Sequence, residues 1–415
     1  MSKKIAIVGA GISGLTAAWL LGRRHQVTLF EAEQTLGGHT HTVPVKRPHG
    51  EYAVDVGFIV FNDRTYPNFN RMMDQLGVGR QDTEMGFAIS CERTGVEYCG
   101  RNLGGIFAQR RNIFSPTHWR MIRDILRFNR EAPGLLDSED GELPLGEYLR
   151  REGYGERFMS HYILPMGGAI WSCSEKRMEA FPAKFFVRFF DHHGLLSLNN
   201  RPQWHVVPGG SSRYLDKLVP AINAEIRTGS PVLEITRQAQ GVTVLSKAGA
   251  EHYDDVILAC HSDQALALLS DADDQERQRL ADIPYQDNDV VLHTDTRLLP
   301  RSRKVWSSWN ALLPETPGDL IQVTYNMNIL QGIDAPETFC VTLNATDRID
   351  PASIISRHRF AHPVFTPAGI ASRQAIEAAN GIRHTWFCGA WCRNGFHEDG
   401  VVSALRVAEA FGEQL

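Results

Sequence analysis

The sequence predicts an α/β protein in which a Rossmann-like parallel sheet is combined with a mixed α+β region. Three observations carry this prediction. Residues 4–8 form a short, β-branched apolar run, which is typical of a buried parallel strand. A glycine-rich turn, a helical stretch over residues 15–21 and a second strand over residues 27–30 follow it. Near the other end, residues 383–389 predict a further strand and residues 401–410 a helix.

The first turn has the spacing of a dinucleotide-binding fingerprint, Gly9-Ala10-Gly11-Ile12-Ser13-Gly14. Gly9 allows the tight turn, Gly11 lets the backbone approach a pyrophosphate, and Gly14 lets the helix pack on the strand. The helix N-terminus offers free N–H groups and a partial positive charge to phosphates. Glu31 ends the second strand, where its carboxylate can accept both ribose hydroxyls. A bound dinucleotide is therefore predicted.

Two features favour FAD over NAD. Shortly after Glu31 and Ala32, a second glycine turn, Gly37-Gly38, precedes His39 and suits a cofactor that extends past its pyrophosphate. The C-terminal segment is the other feature. No second GxGxxG motif occurs, so a separate NAD(P)H domain is not expected.

The C-terminal segment runs from Gly389 into the predicted helix. Asp399 or Glu398 is the predicted N-cap, and Gly400 permits close backbone approach. A helix start at Gly400 and Val401 would aim N–H groups at the flavin and stabilise its reduced form. An ordinary terminal helix is the alternative.

These motifs resemble the superfamily of flavin-containing amine oxidases, phytoene desaturases and protoporphyrinogen oxidases. The resemblance rests on residues 8–15, the Glu31 region with residues 36–38, the Gly-Gly turn at 207–212, and residues 387–400. It implies non-covalent FAD, held by residues 1–65, 205–275 and 370–415, with Val232 near the adenine. Residues 66–204 and 276–369 would form the substrate domain. More narrowly, residues 161–172 and 395–400 resemble a bacterial subgroup of amine-oxidase-like proteins.

The reaction expected from a flavin is hydride transfer between a substrate C–H and flavin N5. Amine oxidases of the superfamily often carry a lysine near N5, but residues 282–298 contain none, which disfavours simple amine oxidation. The resemblance implies an apolar substrate such as an unsaturated fatty acyl chain. An oxygen-dependent amine oxidase and a non-catalytic flavoprotein stay open as alternatives.

Three residues are the predicted catalytic candidates, namely His397, His293 and Trp171. His397 precedes the terminal helix, and a structural role is its alternative. His161 is expected beside Trp171 at the substrate cavity. The apolar stretch 181–190 predicts a core helix, with an acyl tunnel or a membrane contact as alternatives. A covalent flavin at Cys392 is disfavoured because its surroundings lack the family's covalent motif.

Composition excludes several classes of function. The net charge of -5 over 415 residues gives no reason to expect nucleic acid binding. Seven scattered cysteines without a CxxC pair disfavour metal knuckles and disulfides, so no metal is predicted and reduced thiols are expected. No signal peptide or spanning segment is recognised in the sequence. A cytoplasmic protein is predicted, with peripheral contact to the inner face of the membrane left open.

Overall fold

The computed structural model describes residues 2–171, 173–197, 201–316 and 320–415. Its first sheet contains five parallel strands, in the order Glu225–Arg227, Gln26–Phe30, Lys4–Val8, Asp255–Leu258 and Thr385–Phe387. Strands from the start, middle and end of the chain are therefore neighbours in one sheet. The predicted α/β fold class is confirmed, whereas the predicted domain boundaries stay a prediction.

This parallel sheet is covered on both faces. The helices Ile12–Leu21 and His397–Ala410 contribute to the hydrophobic core on one face. A three-stranded antiparallel sheet, formed by Val232–Gln238, Gly241–Ser246 and Gly249–Tyr253, contributes to the core on the other. The strand predicted over residues 383–389 is shorter, since only Thr385–Phe387 is paired.

The second large sheet has seven strands and is mostly antiparallel. Its order is Ile354–Pro363, Tyr285–His293, Cys340–Leu343, Gln322–Asn326, Trp309–Leu313, Phe87–Cys91 and Val96–Cys99. The sequence also predicts strands of a second sheet over residues 288–295 and 319–328. They correspond to Tyr285–His293 and Gln322–Asn326, although residue 319 lies outside the described residues. Two small sheets complete the β-structure: Thr42–Arg47 with Gly50–Asp55, and Val60–Asn62 with Trp204–Val206 and Gln81–Thr83.

The remaining α-helices are distributed over both parts of the molecule, and Leu103–Ile106, Leu164–Trp171 and Met327–Leu330 contact the second sheet. These remaining helices are Pro67–Leu76, Leu103–Ile106, Pro116–Glu131, Leu145–Arg151, Glu156–Phe158, Leu164–Trp171, Glu175–Glu179, Ala183–His192, Leu215–Ala221, Ser262–Leu268, Asp274–Ala281, Met327–Leu330 and Pro367–Ala378. The sequence also predicts helices over residues 117–130 and 141–152. They are present as Pro116–Glu131 and Leu145–Arg151, with shifted ends. In the described part of the chain, no helix is long and apolar enough to cross a membrane.

The apolar stretch 181–190 forms most of the helix Ala183–His192. Phe186, Val187 and Phe190 are buried in the hydrophobic core, so the core interpretation is correct. The alternative of a membrane contact through this helix is not supported, because its aromatic face packs inward. Phe189 alone of the stretch lines the large cavity described below.

Candidate cofactor and substrate cavity

A single connected cavity of about 1780 Å³ extends from the parallel sheet to the second sheet. Pockets for one drug-sized ligand typically measure about 300–1,000 Å³. The cavity therefore has room for a large cofactor and a second molecule. Its nucleotide end lies at the carboxyl ends of the parallel strands, where open α/β sheets bind ligands.

The nucleotide end begins at the first glycine turn. The helix Ile12–Leu21 starts directly after Gly11, and Gly9 to Ser13 line the cavity. A Cβ added to Gly11 would meet no protein atom within 4 Å, whereas one added to Gly14 would lie 1.8 Å from the Gly9 carbonyl oxygen. The two glycines therefore have different roles. Gly14 is required for packing, and Gly11 leaves space beside a helix N-terminus that attracts phosphate.

Glu31 lies at the rim of this end with its carboxylate held in place. Its Oε2 accepts a hydrogen bond from the Ala10 N–H at 2.7 Å, and its Oε1 accepts one from the Glu33 N–H at 2.9 Å. Each carboxylate oxygen can accept a further bond from a ribose hydroxyl. Ala32 and Val232 line the same end, as the sequence predicts for an adenosine site.

The second glycine turn brings His39 to the middle of the cavity. Gly37 and Gly38 have φ values of +115° and +56°, which side-chain-bearing residues rarely adopt. A Cβ on Gly38 would approach the Gly11 Cα to 3.2 Å, so the two turns are in contact. His39 Nε2 is buried and has no hydrogen-bond partner among the described residues. An unpaired polar atom beside the phosphate position fits a bound dinucleotide.

Two histidines that the sequence did not single out lie beside His39. The ring centroids of His362 and His261 lie 5.6 Å and 6.2 Å from that of His39. Burial lowers the pKa of His39 to about 3, with the other two imidazoles contributing, and burial lowers the pKa of His362 to about 4. Neutral imidazoles can each donate one hydrogen bond and accept another. No local motif marks them, because they lie on separate elements.

The C-terminal helix starts earlier than the sequence predicts. It begins at His397, so Glu398 and Asp399 lie in its first turn and neither is the N-cap. The Asp399 carboxylate accepts hydrogen bonds from the backbone N–H groups of Asn394 and Phe396. Acidic side chains in the first turn favour the helix.

Glu398 connects this helix to another part of the chain. Its carboxylate accepts hydrogen bonds from the Asn68 and Phe69 N–H groups and from the Asn68 side chain. These groups lie at the start of the helix Pro67–Leu76, where N–H groups lack partners within the helix. Glu398 therefore caps a different helix from its own.

Gly400 and Val401 do not line the cavity, unlike Gly389. A Cβ on Gly400 would lie 2.7 Å from Ile12 Cγ2, and Val401 is fully buried in the core. Their role in this structure is the close packing of the last helix on the first. The cavity wall of this segment is formed by Gly389, Ala390, Trp391, Asn394, Gly395, Phe396 and His397.

His397 is held rigidly at the cavity wall. Its ring stacks on Phe58 with centroids 3.7 Å apart, and its Nε2 lies 3.0 Å from the Tyr214 hydroxyl. Tyr214 in turn lies 2.6 Å from the Thr40 hydroxyl. Burial lowers the pKa of His397 to about 3, with the nearby His39 contributing, so the ring is neutral at pH 7.

The other two catalytic candidates are separated. Trp171 lines the substrate end of the cavity, and its indole N–H has no partner among the described residues. His293 is fully buried within the second sheet and does not line the cavity. Its Nε2 lies 2.7 Å from the Thr342 hydroxyl and its Nδ1 accepts a hydrogen bond from the Asp295 N–H. The geometry does not support contact between His293 and a cofactor. His161 also lies outside the cavity wall.

The substrate end of the cavity is mainly apolar. Its walls include Met85, Phe87, Met121, Ile122, Ile125, Leu126, Tyr162, Met166, Ile170, Trp171, Phe189, Trp309, Tyr325 and Phe365. Phe396 stacks on Phe189 with centroids 5.0 Å apart and faces this region. Asn129 and Trp309 each carry a buried N–H donor without a partner among the described residues. A long apolar molecule with one hydrogen-bonding group would fit these walls.

The chain matches a known family over most of its length. Residues 12–320 match the model described as flavin containing amine oxidoreductase. The chain belongs to this family. Membership of this family implies a flavin cofactor, and the predicted superfamily resemblance is confirmed.

Individual relatives are more distant. The carotenoid phi-ring synthase of Chlorobaculum tepidum is 30% identical over 136 residues, which are 32% of this chain and 20% of that protein. The chain covers 8% to 59% of the length of the curated relatives it matches. A fatty acid isomerase from P. acnes that produces CLA has the same fold, with a TM-score of 0.72, 16% identity and coverage of 99% and 98%. A redesigned putrescine oxidase has a TM-score of 0.72 at 14% identity, with the same coverage.

The cysteines and the described acidic and histidine side chains offer no metal site. Within the described ranges, no group of three or more His, Cys, Asp or Glu side chains could hold a metal ion. All seven cysteines are free. Cys392 does not line the large cavity, although Cys260 does. The position of Cys392 therefore gives no support to a covalent flavin at that residue.

Proposed function

We propose that this flavoprotein binds FAD non-covalently and transfers hydride between flavin N5 and a C–H group of an apolar substrate, such as an unsaturated fatty acyl chain. The observation that carries the proposal is the apolar substrate end of the cavity, which continues directly from the nucleotide end. When bound, the flavin supplies hydride acceptance and return. The protein contributes binding, orientation and exclusion of water.

The residues at the nucleotide end fit FAD in three ways. Gly11 leaves open space beside the helix N-terminus, Glu31 has acceptor capacity for the ribose, and His39 Nε2 needs a partner. His397 is neutral and fixed by Phe58 and Tyr214, so it would act as an orienting wall. This role makes it a positioning residue rather than a proton donor.

Amine oxidation is the second candidate, and a specific observation argues against it. The strand Tyr285–His293 borders the cavity but carries no lysine. A non-catalytic flavoprotein is the third candidate. The likeness of the fold does not choose between them, because a fatty acid isomerase and a putrescine oxidase match equally well.

The first experiment is the visible spectrum of the purified protein before and after acid precipitation. FAD bands near roughly 375 and 450 nm that move to the supernatant would support non-covalent binding. Anaerobic addition of unsaturated fatty acids or their phospholipid esters should then bleach the flavin or shift diene absorbance. Peroxide release with amines but not lipids would instead favour the amine oxidase. A flavin that neither substrate class changes and that light cannot reduce would favour the non-catalytic alternative.

We predict that Glu31→Gln weakens FAD binding by roughly 10- to 100-fold, the usual value of hydrogen bonds to a charged group. The amide has one acceptor oxygen where the carboxylate has two, and both are already in use. Titration of the apoprotein with FAD, followed by flavin fluorescence, measures the change. Glu33→Gln is the control for charge, because Glu33 is exposed and lines the same end of the cavity. If both variants weaken FAD binding equally, the loss of negative charge alone explains the effect, and the hydrogen bonds of Glu31 do not.

We predict that Ile125→Trp lowers kcat/KM for a long acyl chain at least about tenfold, because overpacking a cavity wall excludes part of the ligand. Ile125 lines the substrate end and lies far from the glycine turns in sequence. FAD content should not change. Ile125→Leu conserves the volume and should behave as the wild type. An equal loss for short and long chains would show that the residue does not limit chain length.

A further inference from the structure

Exposed large hydrophobic side chains are concentrated in one short segment of the chain. Seven large hydrophobic residues are exposed in the described chain, and five lie between residues 103 and 126. They are Leu103 (74% exposed), Ile113 (44%), Phe114 (86%), Trp119 (49%) and Leu126 (49%). Scattered exposed hydrophobic residues are normal, but a cluster of this kind marks an interaction surface.

The same segment is strongly basic. Residues 101–130 contain seven arginines and one acidic residue, Asp124, giving a net charge of +6 in a chain whose total is -5. Asp124 is buried and accepts a hydrogen bond from the Gly155 N–H. Some of the arginines are paired, namely Arg101 with Glu84, Arg120 with Asp124, and Arg127 and Arg130 with Glu131. Arg110 and Arg123 are exposed and have no ion pair among the described residues.

One face of the helix Pro116–Glu131 is buried against the protein, and the opposite face is exposed. Its buried face includes Met121 and Phe128. The positions 119, 123, 126 and 130 fall on one stripe at helical spacing, so Trp119, Arg123, Leu126 and Arg130 share the outer face. An outer stripe of basic and large apolar residues is typical of helices that lie in a membrane interface.

This surface surrounds an opening of the cavity. Leu103 and Leu126 are both exposed and part of the cavity wall, so they lie at a mouth. Ile106, Ile122 and Ile125 continue the apolar wall inward from these residues. A molecule leaving an apolar phase at this surface would therefore enter the substrate end without crossing water.

We propose that the surface formed by residues 101–130 docks on an anionic phospholipid bilayer, with Phe114 and Trp119 inserted at the interface and Arg110 and Arg123 facing the lipid phosphates. Charge complementarity selects this occupant, since a basic patch with aromatic residues gains both electrostatic and hydrophobic energy there. The inference deepens the proposed function by placing the cavity mouth at the lipid source. Its test measures binding without turnover, so its failure would be distinct from failure of the proposed activity.

The experiment is co-sedimentation of the FAD-loaded protein with vesicles of phosphatidylcholine alone or with about a third phosphatidylglycerol, at low and high salt. We expect binding to the anionic vesicles that weakens with salt. F114S/W119S should weaken partitioning at least about tenfold. R110Q/R123Q should weaken it about 30-fold, since each basic residue contributes about 1 kcal/mol near an anionic surface.

Matched controls are available on other parts of the surface. L233S/I382S removes the other two large hydrophobic residues that are exposed in the described chain. K217Q/K247Q removes two exposed lysines that form no ion pair with another described residue. Both controls should bind vesicles as the wild type does. Absence of wild-type binding, or equal losses in the controls, would overturn the proposal. Self-association that F114S/W119S abolishes, without any vesicle binding, would also overturn it and identify a second copy of the chain as the occupant.

Discussion

We expect the Gly11→Val variant to fold as the wild type does and to lose its FAD. Gly11 has φ -73° and ψ -177°, an extended conformation that β-branched residues adopt readily. A Cβ at this position meets no protein atom within 4 Å, so the substitution causes no clash inside the protein. It would project into the space where the pyrophosphate is predicted to bind. FAD affinity should fall at least about 100-fold, which corresponds to about 3 kcal/mol.

Two other glycines provide the controls. Gly134→Val replaces another glycine whose Cβ position is open, but Gly134 does not line the cavity, so FAD content should be unchanged. Gly14→Ala should instead destabilise the fold, because its Cβ would lie 1.8 Å from a backbone oxygen. Far-UV circular dichroism and flavin absorbance distinguish these outcomes. A folded Gly11→Val protein with full FAD content would show that the first turn does not hold the pyrophosphate.

The nucleotide end could be predicted because its determinants are local in sequence. The strand, the turn and the first helix are consecutive, and Glu31 follows within one further strand. The strand and helix patterns identify these elements without knowledge of distant contacts. The predicted positions of Ala32, Gly37, Gly38 and His39 at the cavity follow from the same short stretch.

The sequence predicts the start of the C-terminal helix wrongly, because neither Glu398 nor Asp399 is its N-cap. Glu398 and Asp399 before a glycine have the composition of an N-cap, which suggested a start near Gly400. Glu398 instead binds the first turn of the helix Pro67–Leu76, about 330 residues earlier in the chain. A single sequence carries no sign of such a pairing.

The histidines illustrate the same limit. His39, His261 and His362 lie close together only because a loop, the start of a helix and a strand from three parts of the chain converge. The family resemblance places the stretch 282–298, and with it His293, near the flavin, and Asp287 of the same strand does line the cavity. Six residues along a strand correspond to about 20 Å, so the shared strand does not bring His293 to the cavity.

Acidification should destabilise the FAD-loaded protein through His397 and His293. Burial lowers the pKa of His397 to about 3 and that of His293 to about 4, from 6.5 in both cases. A lowered folded-state pKa gives stability that is present above the unfolded pKa and is lost as pH falls toward the folded value. At about pH 5 each histidine should lower the free energy of unfolding by about 2 kcal/mol. This is a large share of the roughly 5–15 kcal/mol typical of a domain.

Two carboxyl groups have the opposite effect on stability, since their protonation favours the folded protein as pH falls. Burial raises the pKa of Asp55 and Asp399 to about 6, from 3.8. Their folded forms take up protons as pH falls through about 6, which offsets part of the histidine effect. The change in unfolding free energy of the wild type between two pH values is therefore a net quantity. Comparison of variants over the same pH interval isolates the contribution of the two histidines to this change.

The measurement is urea unfolding at about pH 7.5 and about pH 5 with saturating FAD, for the wild type and the H397N/H293Q double variant. Each substitution lowers stability at both pH values, since it removes a stacked or hydrogen-bonded ring. The change in unfolding free energy between the two pH values should nevertheless be about 4 kcal/mol smaller in the double variant, which is the sum for two buried neutral imidazoles. His252→Gln, at an exposed position, controls for loss of a surface histidine. If the change in unfolding free energy with pH is the same in the double variant as in the wild type, neither ring is held neutral by burial. His397 would then be available as a proton donor at the cavity wall.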